Sequence, residues 1–241
     1  MTDEVTHMNA TTATKVRVWD VPTRVFHWLL AGAFLGAWLT GDSERWRDIH
    51  VLLGYTMLGL IGFRLVWGLV GSRYARFSAF LYGPGRVLRY LDSLRRGRPE
   101  HYLGHNPAGS LAIFALLGLG ILTTAAGYAT YQELGGDWLE EAHELAANAM
   151  LLMVAIHLLG VVVSSVLHRE NLARAMVTGD KEGASGDGIR RSHAWLGAVL
   201  LAAVAAFWYA YPQDRAATGD GAAAWVDGQR HEGRHRHHDD D

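Results

Sequence analysis

Thirteen histidines stand in this chain of 241 residues, and four of them lie in or at the ends of long uncharged stretches: His27, His50, His143 and His157. An imidazole in apolar surroundings is costly unless it is used, so each is a functional candidate. Their spacing says more. His143 and His157 are 14 residues apart within one stretch. On a helix that spacing brings both to within about 40° of one face and sets them about 21 Å apart along the axis. They cannot share a ligand, but they can serve two ligands stacked one above the other. His50 falls at the level of His143 and His27 at that of His157, which gives two pairs, His50 with His143 and His27 with His157. Two imidazoles converging from different helices suit a flat macrocycle with two axial ligands. Imidazole is a standard haem-iron ligand, and helical bundles build such sites from inward-facing side chains. Ala31, Gly54, Ala147 and Gly160 follow the four histidines by three or four residues on the same faces and leave room beside them. The expectation is two non-covalent b haems. Zinc at one pair would need further ligands at the same depth. A retinal Schiff base is excluded, since the two lysines, Lys15 and Lys181, lie outside the uncharged stretches.

Charged and peripheral groups complete the inventory. Arg64 lies 14 residues after His50, on the same face and near the level of His27 and His157. There it either binds a haem propionate bidentately or snorkels to the surface. Arg24 is a second propionate candidate. His168 and His193 are expected at the membrane interface, and His7, His101 and His105 in water-exposed segments. The tail residues His235, His237 and His238, with His231 before them and Asp239–Asp241 after, form a weak candidate site for a divalent metal, with a solvated tail as the simpler reading.

The elements that must position these groups follow from where the charges are absent. Residues 25–41, 49–63 (resuming after Arg64 through Gly71), 106–132, 145–168 and 192–213 carry no Asp, Glu, Lys or Arg. Each approaches the ~20 residues that a helix needs to cross a ~30 Å hydrocarbon layer. Five transmembrane helices are predicted, the first beginning at Pro22. The first stretch is not a cleavable signal, because it starts late and no small-residue cleavage site follows it. Asn106 with Pro107 reads as an N-cap and first helical residue, and Asp137 with Glu140 as a capping box. The loops sort by sign. Residues 72–105 hold seven arginines against two acids, residues 169–191 hold five bases, and residues 133–144 hold five acids and no base. The positive-inside bias then places the N-terminus in the cytoplasm and the C-terminus outside. Segregation of this kind also explains a mean hydropathy of only +0.05.

Absences narrow the function further. With no cysteine, disulfide scaffolds, thiolate metal centres, thiol nucleophiles and c-type haem attachment are excluded. A net charge of −2 gives no electrostatic case for nucleic acid.

Several stretches together resemble the bacterial cytochrome b561 group, which includes the b-type cytochrome subunit of nickel–iron hydrogenases. They are VRVWDVPTRVFHWLLA (16–31), GYTMLGLIGFRLVWGLVGSRYARF (54–77), GHNPAG (104–109), the pair His143…His157, and HRENLARAMVTGDK (168–181). The resemblance implies four helices around two bis-histidine b haems, with the ligands again on His27, His50, His143 and His157. It implies electron transfer between the quinone pool and a periplasmic partner, which would be a c-type cytochrome, a hydrogenase or another redox protein, in the bacterial cytoplasmic membrane. The expected fold is an all-α integral membrane protein: a four-helix transmembrane bundle holding two haems plus a fifth C-terminal transmembrane helix. Its expected parts are a cytoplasmic segment (1–21), the dihaem domain (22–182), a linker with the fifth helix (183–213) and a periplasmic polar tail (214–241). A homodimer is left open. The competing reading is a divalent metal transporter or sensor that uses the membrane and tail histidines.

Overall fold

The computed structural model describes residues 14–98 and 100–218. Among them, helix predominates: α1 (Val21–Thr40), α2 (Arg47–Val70), α3 (Pro84–Arg95), α4 (Pro107–Tyr131), α5 (Trp138–His168), α6 (Leu172–Thr178) and α7 (Ala194–Thr218). Two short strands, β1 (Thr14–Arg17) and β2 (Asp180–Gly183), pair antiparallel, with Thr14 opposite Gly183 and Arg17 opposite Asp180. The chain divides into two units, residues 1–198 and 199–241. Among its described residues, the second consists of the continuation of α7.

Within the first unit α1 packs on α2, α2 on α4, and α4 on α5. Their shared core is Ala33, Phe34 and Ala37 of α1, Met57 of α2 and Met150 of α5. The outward surface of α5 is equally apolar. Leu145, Leu152, Leu159 and Val166, seven residues apart, are each 63–72% exposed. An apolar row of this length facing water would be untenable in a soluble protein, whereas hydrocarbon accommodates it. Four helical segments are long and apolar enough to cross a membrane: Glu44–Val70, Pro107–Tyr131, Trp138–His168 and Ala194–Tyr211. The first predicted span forms as α1 but is not among these four, because Thr23, Arg24 and His27 fall in its first two turns.

Local signals set the starts of α1 and α4. Asn106 caps α4, its Oδ1 accepting from Gly109 N at 2.7 Å, with Pro107 at the first helical position. Asp20 caps α1 by accepting from Thr23 N at 2.8 Å. The expected capping box at α5 does not form. Asp137 occupies the N-cap position, but its helical backbone (φ −54°, ψ −26°) leaves the side chain without a cap hydrogen bond.

The strand pair was not predicted. It closes a small cap at one end of the bundle, with its own core of Val16, Val18, Trp19 and Ala175. Val18 N and Trp19 N both donate to Gly179 O, Ile189 N to Arg17 O, and Val21 N to Ser192 O. Gly179 sits at φ +90° at the end of α6, a conformation that glycine adopts without strain.

Candidate cofactor-binding site

The first predicted pair is assembled. His50, in the first turn of α2, and His143, near the start of α5, face each other with ring centroids 5.9 Å apart and planes at 82°. Metal–imidazole bonds run at about 2 Å, so two axial imidazoles on one metal stand with centroids about 6 Å apart. Each ring is oriented from behind. His50 Nδ1 lies 2.9 Å from Ala37 O of α1, and His143 Nδ1 lies 2.9 Å from Thr123 O of α4. A carbonyl can only accept, so both Nδ1 atoms carry the proton and both Nε2 atoms keep a free lone pair.

Gly127, four residues after the Thr123 carbonyl, admits the His143 ring, whereas a Cβ at Gly41, four residues after Ala37, would be in ordinary contact with the His50 ring. A Cβ at Gly127 would stand 2.8 Å from both Cε1 and Nδ1 of His143, and one at Gly41 would stand 3.7 Å from His50 Cε1. Both imidazoles line an apolar cavity together with Gly54 and Ala147, two of the small residues picked out in the sequence. A Cβ at Gly54 would meet nothing within 4 Å, so the wall there is open.

The second pair sits at the other level of α5. His27 of α1 and His157 of α5 are both half-buried. Unlike the first pair, His27 Nδ1 is buried with no hydrogen-bond partner. Arg64 is 3% exposed, so it does not snorkel. Its guanidinium lies 4.7 Å from the centre of the Phe77 ring, within electrostatic reach of Asp20, and its Nη1 is buried without a partner. Arg24 donates through Nη1 to Val177 O, while its Nε is buried and unpartnered. An imidazole with a free nitrogen and two guanidinium donors without full partners are what a bis-carboxylate macrocycle with an axial ligand would satisfy.

His105 departs from expectation. It is not in a water-exposed segment. Its ring lies 4.5 Å from the rings of both Trp19 and Phe80, and its Nδ1 is sealed from solvent and unpartnered. Burial, then the nearby Arg64 and Lys181 charges, pushes its pKa down to about 3. His101 is exposed, as expected. His7 and the tail residues His231, His235, His237 and His238 lie outside the described residues. Among the described residues no group of three or more His, Asp or Glu side chains could hold a metal ion.

Asp20 also escaped the sequence reading. It is 1% exposed, and besides capping α1 it accepts from Trp67 Nε1 of α2 at 3.1 Å. The available signal was an Asp two residues before a proline at a helix start. Lys181 likewise has a partner in the cap. Buried to 6% exposure, it pairs with Glu170 at 3.2 Å and donates to Tyr102 O at 3.2 Å.

The chain is similar to known b-type cytochromes. The family described as prokaryotic cytochrome b561 matches residues 18–179. A probable Ni/Fe-hydrogenase B-type cytochrome subunit of Azotobacter vinelandii is 28% identical over 213 residues, covering 69% of this chain and 88% of that protein. Its counterpart in Rhodobacter capsulatus is 25% identical over 214 residues (70% and 82%). The probable Ni/Fe-hydrogenase 1 B-type cytochrome subunit of Escherichia coli K12 is 26% identical over 142 residues (48% and 60%). No solved structure matches the chain at a significant level.

Proposed function

Because this chain belongs to the prokaryotic cytochrome b561 family, we propose that it is a dihaem b-type cytochrome of the bacterial cytoplasmic membrane. It carries electrons between the quinone pool and a periplasmic redox partner. The hydrogenase named in its relatives' descriptions makes a hydrogenase the first candidate for that partner. The observation that carries the reading is the His50–His143 pair, 5.9 Å apart with both Nε2 atoms freed by backbone acceptors.

Haem iron bound between such imidazoles supplies reversible one-electron chemistry. The chain's own residues do the rest. His50 and His143 hold the periplasmic level, with Ala37 O and Thr123 O fixing their tautomers and making the rings more electron-rich ligands. His27 and His157 would hold a haem at the cytoplasmic level, where the incompletely partnered guanidiniums of Arg64 and Arg24 would meet its propionates. The apolar wall about His50 and His143 excludes water, so the environment changes little when charge moves. The separation along α5, about 21 Å, spans much of the ~30 Å hydrocarbon layer. Helices α2, α4, α5 and α7 cross the membrane, and α1 joins them as a fifth span with the N-terminus in the cytoplasm.

A reduced-minus-oxidised spectrum with pyridine-haemochrome quantification tests this. Two b haems per chain are expected. His50→Ala and His143→Ala should remove one spectral component, and His27→Ala and His157→Ala the other. Two haems retained in His157→Ala would overturn the pairing. Reduction by a quinol analogue would support the quinone assignment, and its failure in a fully loaded protein would remove it.

A further inference from the structure

The segment joining α2 to α4 carries a surface that the histidine levels do not use. Helix α3 has three faces. Val87, Tyr90 and Leu94 turn inward, Tyr90 fully buried. Beside them Leu88 and Leu91 stand 66% and 46% exposed, and Leu81, three residues ahead of the helix, is 73% exposed. Arg95 projects between Leu88 and Leu91, and next around the helix come the exposed Arg86 and Arg89, with Arg89 about 100° from Leu88 and Arg96 just past the helix end. Residues 84–98 hold five arginines and one acid. That acid, Asp92, is engaged by Arg95 and Arg96 at 3.4 and 2.6 Å. Arg86 lies over the Tyr82 ring, which leaves its guanidinium edge available to an anion.

Exposed leucines interleaved with and flanked by arginines, on a short helix between two spanning segments, are the pattern of a helix lying in a membrane interface. Leu88 and Leu91 gain nothing from standing this exposed in water, and a zwitterionic headgroup layer would give Arg86 and Arg89 no net counter-charge. Charge complementarity therefore selects the occupant. We propose that α3 is an anionic-phospholipid binding element. Leu81, Leu88 and Leu91 are seated among acyl chains, and Arg86 and Arg89 bind lipid phosphates with the planar, multi-donor geometry that guanidinium offers to phosphate. The inference depends on the chain spanning a membrane, not on how many haems it holds.

The absence of cysteine makes a direct test available. Leu88→Cys, carrying a nitroxide, is reconstituted as full-length protein in vesicles of phosphatidylcholine alone or with phosphatidylglycerol. A label at Leu152→Cys, on the exposed middle of α5, serves as the spanning control. In phosphatidylglycerol vesicles the Leu88 label should be relaxed by oxygen and shielded from a water-soluble nickel chelate. Shielding should be lost in pure phosphatidylcholine and in Arg86→Gln/Arg89→Gln, which should shift the seated equilibrium about thirty-fold. A Leu88 label equally accessible, or equally shielded, in both lipids overturns the proposal while a shielded Leu152 label preserves the membrane reading. An accessible Leu152 label overturns both.

Discussion

Gly127 is where a single methyl group probes the His143 geometry. In a helix, alanine is ordinarily more stable than glycine by about 1 kcal/mol. Here the added Cβ would press on the imidazole at 2.8 Å, and overpacking of this kind costs about 1–3 kcal/mol. Gly127→Ala should therefore lower the thermal midpoint and the haem content of the His50–His143 level together. Gly54→Leu is expected to act differently. It faces open space in the cavity wall, so the cofactor-free chain should keep its midpoint while haem content falls. Comparing melting with and without haem separates the two. Asp20 carries a further load, as cap of α1 and acceptor for Trp67 Nε1. Asp20→Ala should cost about 2–4 kcal/mol, the sum of a lost cap and an orphaned buried donor, readable from the haem-loss midpoint on heating. The meeting of His50 and His143 was legible because helical period and depth can be read one segment at a time. The burial of His105 was not, since Trp19 and Phe80, which enclose it, come from other parts of the chain.

Among the elements, the cap shows how loops substitute for helix packing. Lys181 of β2 reaches Glu170 between α5 and α6, and Tyr102 O in the loop before α4. Removing only one partner of so buried a pair leaves an uncompensated charge, so Lys181→Met should cost about 3–5 kcal/mol. Lys181→Met with Glu170→Met should recover most of it, and a double-mutant cycle of denaturation measures the difference. His105, which feels the Lys181 charge, gives the same region a pH signature. Its pKa falls from the usual 6.5 to about 3 in the folded chain. Below pH 6.5 the unfolded state takes up the proton first, so its contribution to stability, complete above that pH, is lost as pH falls toward 3. His105→Phe should flatten the acid limb of a stability–pH profile over that window. Neither strand was legible: TKVR and DKEG lack the apolar alternation that marks a strand. The failed cap at Asp137 belongs with them, because the right residue types stood at the right spacing and the backbone took the helical conformation instead.

At the scale of the whole molecule, the uncharged stretches were the reliable signal, since lipid imposes one rule on every residue of a span. Four of the five predicted stretches meet it by length and hydropathy, and α1 stands apart because it carries Thr23, Arg24 and His27 in its opening turns. The β1–β2 pairing has a consequence in time as well as in space. Thr14 bonds to Gly183, 169 residues later in the chain, so β1 leaves the ribosome long before its partner exists. At about 5–20 residues per second the wait is roughly 10–35 s. During that interval helices α1 to α6 are made while the N-terminal strand has nothing to pair with. Pulse-labelled chains probed with protease should cut near residues 14–19 until residue 183 has emerged and resist cutting afterwards. The ribbon thus acts as a clasp whose closing dates the completion of everything between its ends.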